Sequence, residues 1–269
     1  MKFKISTWNI NSVRLRLPLV LQFLEAEQPH VLCLQETKCR DAEFPLSALR
    51  EAGYRHIEIN GQKGYHGVAT LARVPMQLAE KKEFCGKGDA RHLSVQLTGN
   101  GLEGLHVHNF YVPAGGDEPD PLINEKFRHK LQFLDEMQAW FAQGTVAAGR
   151  AVLVGDLNIA PHEHDVWSHK ALLKIVSHTP VEVERMARVV AAGPWVDAMR
   201  VLTPMQEKLY TWWSYRAADW DAANKGRRLD HIWVSEALRS GIGTLKIERA
   251  ARGWDRPSDH VPVTMVFEV

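Results

Sequence analysis

Several short, β-prone apolar runs in this 269-residue chain lead into, or follow directly on, side chains that can bind metal, accept protons or grip phosphate. The first, Lys2-Phe3-Lys4-Ile5-Ser6-Thr7-Trp8, leads to Asn9 and Asn11, and the second, Val31-Leu32-Cys33-Leu34, leads to Gln35 and Glu36. A third, Val152-Leu153-Val154, runs into Gly155-Asp156-Leu157-Asn158. Near the end, Pro257-Ser258-Asp259-His260-Val261-Pro262-Val263 sets an acid and an imidazole side by side just ahead of a hydrophobic strand. Strand ends meet along one edge of a sheet, so these positions can pool hard oxygen and nitrogen ligands in one place. That chemistry suits a divalent cation and a phosphate, and points to a phosphodiester hydrolase.

Strand-like runs recur at 3–8, 30–35, 67–72, 92–97, 105–112, 151–155, 230–234 and 261–268. Helical periodicity marks 18–27, with Pro18 in the first turn, then 124–142, with Phe127, Leu131, Leu134, Met137 and Phe141 on one face, and more weakly 182–191. Strands neither alternate strictly with helices nor cluster at one end, which favours a mixed sheet or two packed sheets with outer helices. Both halves contribute ligand-type residues and no low-complexity linker separates them, so one domain over 1–269 is expected. The Pro- and Gly-rich stretch 113–121 follows a strand tip and is expected to be a loop at the functional edge.

Composition narrows the class of protein. A hydrophobic share of 45% and a charged share of 24% are ordinary for a globular chain. Cys33, Cys39 and Cys85 are odd in number, lack paired spacing and fit a reducing compartment. No run approaches the ~18 apolar residues of a membrane span. The N-terminus enters a strand at once, leaving no room for a signal peptide, so a cytoplasmic chain with no membrane partner is expected. Net charge is only +1, so any nucleic-acid surface must be a local patch. Arg14/Arg16, Lys81/Lys82/Lys87/Arg91, Arg227/Arg228 and Arg252/Arg256 are the candidates.

Glu36 is the most isolated acid near these strand ends and the first candidate metal ligand, with Asn9 and Asp259 as companions. Asp156 and Asn158 lie two apart, which puts them on one face if the chain is extended, although Asp-X-Asn is also a common turn. Asp156 can then accept a proton from an attacking water or help hold the metal, and Asn158 can orient either. Asp230-His231 and Asp259-His260 both pair an acid with an imidazole. Asp230 is paired here with His260, whose charge can stabilise a phosphate in the transition state. A rival cluster, His162-Glu163-His164-Asp165, resembles a zinc site but lacks convergent partners. Tyr210-Thr211-Trp212-Trp213-Ser214-Tyr215-Arg216 interleaves rings with Arg216 and the basic 225–228 segment, as a nucleic-acid-stacking surface requires. One of Trp212 and Trp213 is expected in the core.

Six segments, in this order, resemble the exonuclease III family of AP endonucleases: Thr7–Arg14, Leu32–Lys38, Asn109-Phe110-Tyr111-Val112-Pro113, Gly155–Ile159, Arg228-Leu229-Asp230-His231 and Pro257–Val263. They span essentially the whole chain. The resemblance implies a DNase I-like α/β (α+β) fold, a four-layered sandwich of two mixed β-sheets face to face with outer helices, and a site at one edge between the sheets. It implies Mg²⁺ (Mn²⁺ as substitute) held by Glu36 with Asn9, Asp156, Asn158, Asp259 and His260 in the ligand set. Tyr111, Asp156, Asn158, Asp230 and His260 would act on the phosphate, and Asn11, Arg91, Trp212, Arg216 and Arg227 would contact DNA. The implied substrate is double-stranded DNA with abasic sites or 3′ ends, handled by a monomer. The alternatives are a superfamily phosphatase with another substrate and a catalytically silent nucleic-acid-binding regulator. Two positions depart from the family pattern: Ala114 stands where an amide side chain is usual, and Arg227 where an apolar residue is usual.

Overall fold

The computed structural model describes residues 1–144 and 149–269. In chain order the strands are β1 (Lys2–Asn9), β2 (Val31–Gln35), β3 (His56–Asn60), β4 (Val68–Ala72), β5 (Met76–Glu80), β6 (His92–Leu97), β7 (His106–Tyr111), β8 (Ala151–Asp156), β9 (Trp195–Asp197), β10 (Trp212–Trp213), β11 (Gly226–Arg227), β12 (Asp230–Ser235), β13 (Ile242–Ile247) and β14 (Val263–Glu268). They form a six-stranded sheet ordered β13-β14-β1-β2-β4-β3, a second six-stranded sheet ordered β5-β6-β7-β8-β12-β9, and the hairpin β10-β11. Within each large sheet one neighbouring pair is parallel, β1 with β2 and β7 with β8, and the other pairings are antiparallel.

Side-chain alternation along the strands builds the layers. Phe3 and Ile5 of β1, Val31 and Cys33 of β2, Val152 and Val154 of β8, and Ile232 and Val234 of β12 meet in one core between the sheets. The intervening residues face outward. Trp8, Leu32 and Leu34 receive Leu19, Val20, Phe23 and Leu24 of helix α1 (Leu17–Glu27) and Leu49 of α2 (Leu46–Glu51). On the second sheet Phe110, Leu153 and Trp233 receive Phe133, Leu134 and Met137 of α3 (Glu125–Ala142). The expected helix at 182–191 is longer than its pattern suggested, running from Pro180 to Ala192, because Thr179 and Glu182 form a capping box that starts it earlier. The result is helix, sheet, sheet, helix: the four-layered sandwich.

The four sheet edges β3, β5, β9 and β13, and the two-residue strands β10 and β11, are absent from the sequence-based expectations. The edge strands are short or turn mostly polar residues to solvent, so the apolar residues that they do bury, such as Ile57, Ile59, Leu245 and Ile247, form no run to mark them. Among the described residues no helix is long and apolar enough to cross a membrane.

Candidate active site

The inner-face series that builds the core continues past it. Two residues beyond Ile5 and Cys33 come Thr7 and Gln35, joined across the sandwich by Asn109: Gln35 Nε2 donates to Thr7 Oγ1 at 3.0 Å and to Asn109 Oδ1 at 2.8 Å. Asn109 Nδ2 donates to the carbonyls of Leu34 and Ala69 at 3.2 and 3.0 Å. This buried polar layer closes the apolar core. The next inner-face positions, Asn9, Tyr111, Asp156 and Asp230, are buried at the strand ends beside a cleft lined by Glu36, Asn158, Asp259 and His260.

Asn9 is the hub. Its Nδ2 donates to Glu36 Oε1 and to Asp156 Oδ2, both at 2.9 Å. Tyr111 donates its hydroxyl to Glu36 Oε1 at 2.8 Å, and Lys38 Nζ pairs with Glu36 Oε2 at 2.8 Å. Asn158 Nδ2 donates to Asp156 Oδ2 at 3.1 Å and to the Val112 carbonyl at 2.9 Å. His260 Nδ1 is 2.8 Å from Asp230 Oδ2, and its Nε2 faces Asp156 Oδ2 at 3.6 Å. Thr211 Oγ1 donates to the same Asp230 oxygen at 2.6 Å. Ser258 fixes the chain around His260, donating to the Asn9 carbonyl at 2.7 Å and accepting from the His260 amide at 3.2 Å. Non-glycine residues in the left-handed region gather here: Asn11, Ser12, Glu36, Lys38 and Asn158 have φ of 48°, 86°, 51°, 52° and 56°. Such strained turns at strand ends are a mark of functional sites.

The electrostatics follow from burial and close charges. Burial alone would raise Glu36, but Lys38 and the hydrogen bonds from Asn9 and Tyr111 outweigh it and hold the carboxyl below its ordinary range. Burial pushes Asp156 up to about 7 despite the charge of His260. Burial opposes the charged form of His260, yet Asp230 and Asp156 overcome it and raise the imidazole to about 10. Burial and the neighbouring carboxylates Glu36 and Asp156 push Tyr111 well above its ordinary value, so it stays a phenol. The centre therefore combines an anionic carboxylate, an acid near neutrality, an imidazolium and a phenol.

Two groups compete as metal ligands. Ligand atoms of Asp156, Asp230 and His260 all lie within 4.8 Å of one another. Asp230 is fully buried under Thr211, its Oδ2 is taken by His260 and Thr211, and its Oδ1 is buried without a partner. That pair suits orienting a charged imidazole better than binding an ion. Glu36 is only partly buried and lines a cleft of about 490 Å³ together with Asn158, Asp259 and His260. Its anionic oxygens among amide neighbours fit a hard divalent cation. Among the described residues the His162–Asp165 segment forms no such group. Its Asp165 is instead buried in an ion pair with Arg228 at 2.9 Å.

A model of the Endonuclease/Exonuclease/phosphatase family matches residues 6–260. The chain belongs to that family. It is 30% identical to the exodeoxyribonuclease III of Haemophilus influenzae over 98% of this chain and 100% of that one. It is also 30% identical to the DNA repair nuclease APEX1 of Danio rerio, over 99% and 82%. Among solved structures, an AP endonuclease from Archaeoglobus fulgidus superposes with a TM-score of 0.90 at 30% identity, covering 99% of this chain and 100% of that one. A 3′ phosphatase, NExo, from Neisseria, bound to a product DNA hairpin, superposes with a TM-score of 0.88 at 30% identity, covering the same 99% and 100%. The layered fold is thus that of this family.

Within that fold several sequence expectations need adjustment. Asp156 and Asn158 do not share a face of an extended strand. The strand ends at Asp156 and the chain turns, so the Asn158 amide donates to Asp156 Oδ1 at 2.9 Å and the two side chains meet across a tight turn. His231 is fully buried against the Ile159 carbonyl at 2.8 Å and takes no part in the cleft. Asp259 accepts from Trp212 Nε1 at 2.9 Å and from Asn11 Nδ2 at 3.3 Å, which ties the aromatic hairpin to the cleft rim. Trp213 is the core tryptophan and Trp212 the cleft one.

Four of the basic-patch candidates, Arg16, Arg91, Arg228 and Arg252, are buried structural cations. Arg91 pairs with Asp89 at 3.0 Å and lies 4.9 Å from the Tyr111 ring, holding that ring rather than facing solvent. Arg216 is exposed on the cleft, and Arg227 is half-buried in its wall. Ala114 leaves its position on the cleft without a side-chain donor. Sequence reasoning missed Lys38, Thr211, Ser258 and the fully buried pair Lys130–Glu182 behind the cleft. Lys130 did carry a signal, since it interrupts the apolar stripe of α3 between Phe127 and Leu134.

Proposed function

We propose that the protein is a Mg²⁺-dependent DNA repair phosphodiesterase that incises duplex DNA 5′ to abasic sites and removes nucleotides or blocking groups from 3′ ends of duplex DNA. The observation that carries this is Asp156, held by Asn9 and Asn158 and facing His260 at 3.6 Å, with anionic Glu36 on the far side of Asn9 and one open cleft before them all. The family and its relatives named as exodeoxyribonuclease and DNA repair nuclease support the same substrate.

In this reading Glu36, with Asn9 and Asp259 nearby, holds the divalent cation, which when bound polarises a phosphoryl oxygen. Asp156 accepts the proton of the attacking water, oriented by Asn158. The new bond joins that water oxygen to phosphorus, the bond from phosphorus to the 3′ oxygen breaks, and a 3′ hydroxyl and a 5′ phosphate result. His260, kept positive by Asp230, stabilises charge building on the phosphoryl oxygens. Tyr111, a phenol at the same edge, orients Glu36 and offers a proton donor beside the reacting group. Trp212 and Arg216 line the path of the displaced sugar. A single domain working as a cytoplasmic monomer completes the reading.

The test is a substrate panel: a duplex with one abasic site, a recessed 3′ end, a 3′ phosphate and a soluble phosphodiester. The expected result is cleavage of the duplexes far above the soluble ester. Equal or better turnover of the soluble ester would replace DNA with a small phosphodiester, and tight duplex binding with no product would replace the enzyme with a regulator.

A further inference from the structure

Beside the hydrolytic residues the cleft opens into a recess walled by Trp212, Trp167, Val176, Ser177, Lys225 and Arg227. A recess for a neutral, base-free sugar needs apolar and aromatic walls and no more. This one contains cations. The Arg227 guanidinium lies 5.2 Å from the Trp212 ring centre, and Lys225 Nζ lies 4.9 Å from that of Trp167. Arg227 Nη1 is spent on the Val176 carbonyl at 2.9 Å and on Ser177 Oγ at 2.8 Å, but its Nε is buried and has no partner. Among the described residues no carboxylate lies within 4.0 Å of Arg227. The acid buried behind the recess, Glu182, is already neutralised by Lys130 at 2.5 Å. Arg227 therefore stands in a half-buried wall without an ion-pair partner of its own, feeling Glu182 only at longer range.

A partly desolvated cation without a counter-charge is costly, and that cost falls when an anion arrives. A guanidinium beside an indole ring whose N–H groups are not all spent can turn one to a carboxylate or a phosphate with little rearrangement. We propose that this recess recognises an anionic substituent on the fragment that departs still bonded to the attacked phosphorus. The inference rests on the phosphodiesterase reading above and specifies its substrate. Two sources supply that chemistry. At a damaged 3′ end the fragment can be a glycolate, whose carboxylate is the anion. At an internal abasic site it is the base-free sugar, whose own 3′ phosphate is the anion.

The experiment compares matched pairs in Mg²⁺. One pair is a duplex ending in 3′-phosphoglycolate against the same duplex ending in the neutral 3′-phosphoglycolamide. The other is an internal tetrahydrofuran abasic analogue followed by a phosphate against the same analogue followed by a methylphosphonate. In at least one pair the anionic member is expected to have a kcat/KM about tenfold higher or more. The pair that shows it identifies the source. That ratio should collapse towards one in Arg227→Leu and persist in Arg227→Lys, with thermal melting checking that both variants fold. If Arg227→Leu does not fold, Arg227→Gln serves as the neutral arm, and the wild-type ratios decide independently. Ratios near one for both pairs in the wild type, or a preference that survives loss of the charge, overturn the proposal. Failure to cleave any of the four duplexes would instead overturn the nuclease reading beneath it.

Discussion

Asp156 and His260 do different work through neighbours that differ. Asp156 is buried, receives amide donors from Asn9 and Asn158, and is pushed up to about 7 by burial. His260 is equally enclosed, but Asp230 at 2.8 Å holds it positive. Removing either the proton acceptor or the cation should slow turnover at least about 10²-fold. Asp156→Ala and His260→Ala are expected to show that loss in kcat while melting near the wild-type temperature. A variant with near-full kcat would remove its residue from the mechanism. Gly155, directly before Asp156, has φ of +140°, and a Cβ there would sit 1.9 Å from the Phe110 carbonyl oxygen of the neighbouring strand. Gly155→Ala is therefore expected to destabilise by at least about 2 kcal/mol in urea titration. A smaller change would mean that the β7–β8 pairing yields more easily than its register suggests.

At the scale of elements, the ties between cleft walls matter most. Lys130 on α3 donates to the Asn158 carbonyl at 2.7 Å and to the Ala114 carbonyl at 3.3 Å while pairing with Glu182 of the 180–192 helix. Glu182 also accepts the Ser177 amide at 3.0 Å. One fully buried pair thus fixes the Asp156–Asn158 turn, the Ala114–Gly116 turn and the segment bearing Ser177. Lys130→Met strands Glu182 in the interior and is expected to cost about 3–5 kcal/mol. Arg185→Ala breaks a pair with Asp135 of similar length, 3.0 Å, but a partly exposed one. It should cost no more than about 1 kcal/mol. Equal losses in denaturant titrations of the two variants would contradict the assignment of burial as the deciding factor.

These ties also explain how much was legible beforehand. The strands that carry Asn9, Asp156 and Asp230 are central and apolar, so their ends could be located from sequence, and the pairing of Asp230 with His260 followed from where two late strands stop. What could not be read was three-dimensional. Asp-X-Asn at 156–158 can be read as a turn or as an extended pair, and only the fold decides for the turn. The burial of Arg228 depends on Asp165 and Asp197, 63 and 31 residues away in sequence, and that of Arg91 on Asp89, which no pattern marks. Edge strands β5 and β13 put only scattered apolar residues on the core, Met76 from one and Ile242, Leu245 and Ile247 from the other, too few to form an apolar run.

Over the whole molecule, the two inner sheet faces are apolar through their middle, polar at Thr7, Gln35 and Asn109, and ionisable at the rim, so one alternating pattern makes both the core and the cleft. Away from the cleft, a second charged centre joins distant parts of the chain. Arg228 Nη2 pairs with Asp165 at 2.9 Å and its Nη1 with Asp197 at 2.8 Å, all on fully or largely buried side chains. Burial alone would raise Asp165, but Arg228 and Arg200 outweigh it and hold the carboxyl below its ordinary value. A carboxyl depressed on folding stabilises the protein above the unfolded pKa, about 3.9, and that contribution disappears as pH falls through the lower folded value. Stability is thus expected to be insensitive to this centre above about pH 5 and to fall below about pH 4. Asp165→Asn should flatten that acid limb in a series of melting curves, and an unchanged limb would assign acid unfolding to other carboxylates.

The proposed function requires one cation-dependent hydrolytic centre acting on the DNA backbone. Its most direct test is incision of a duplex carrying a single abasic site, with the protein first stripped by EDTA and Mg²⁺ then restored, and both new strand ends mapped. The predicted result is no product after stripping, recovery with added Mg²⁺, and a single break 5′ to the lesion leaving a 3′ hydroxyl. Undiminished incision in excess EDTA, or a break on the 3′ side of the lesion, would contradict it.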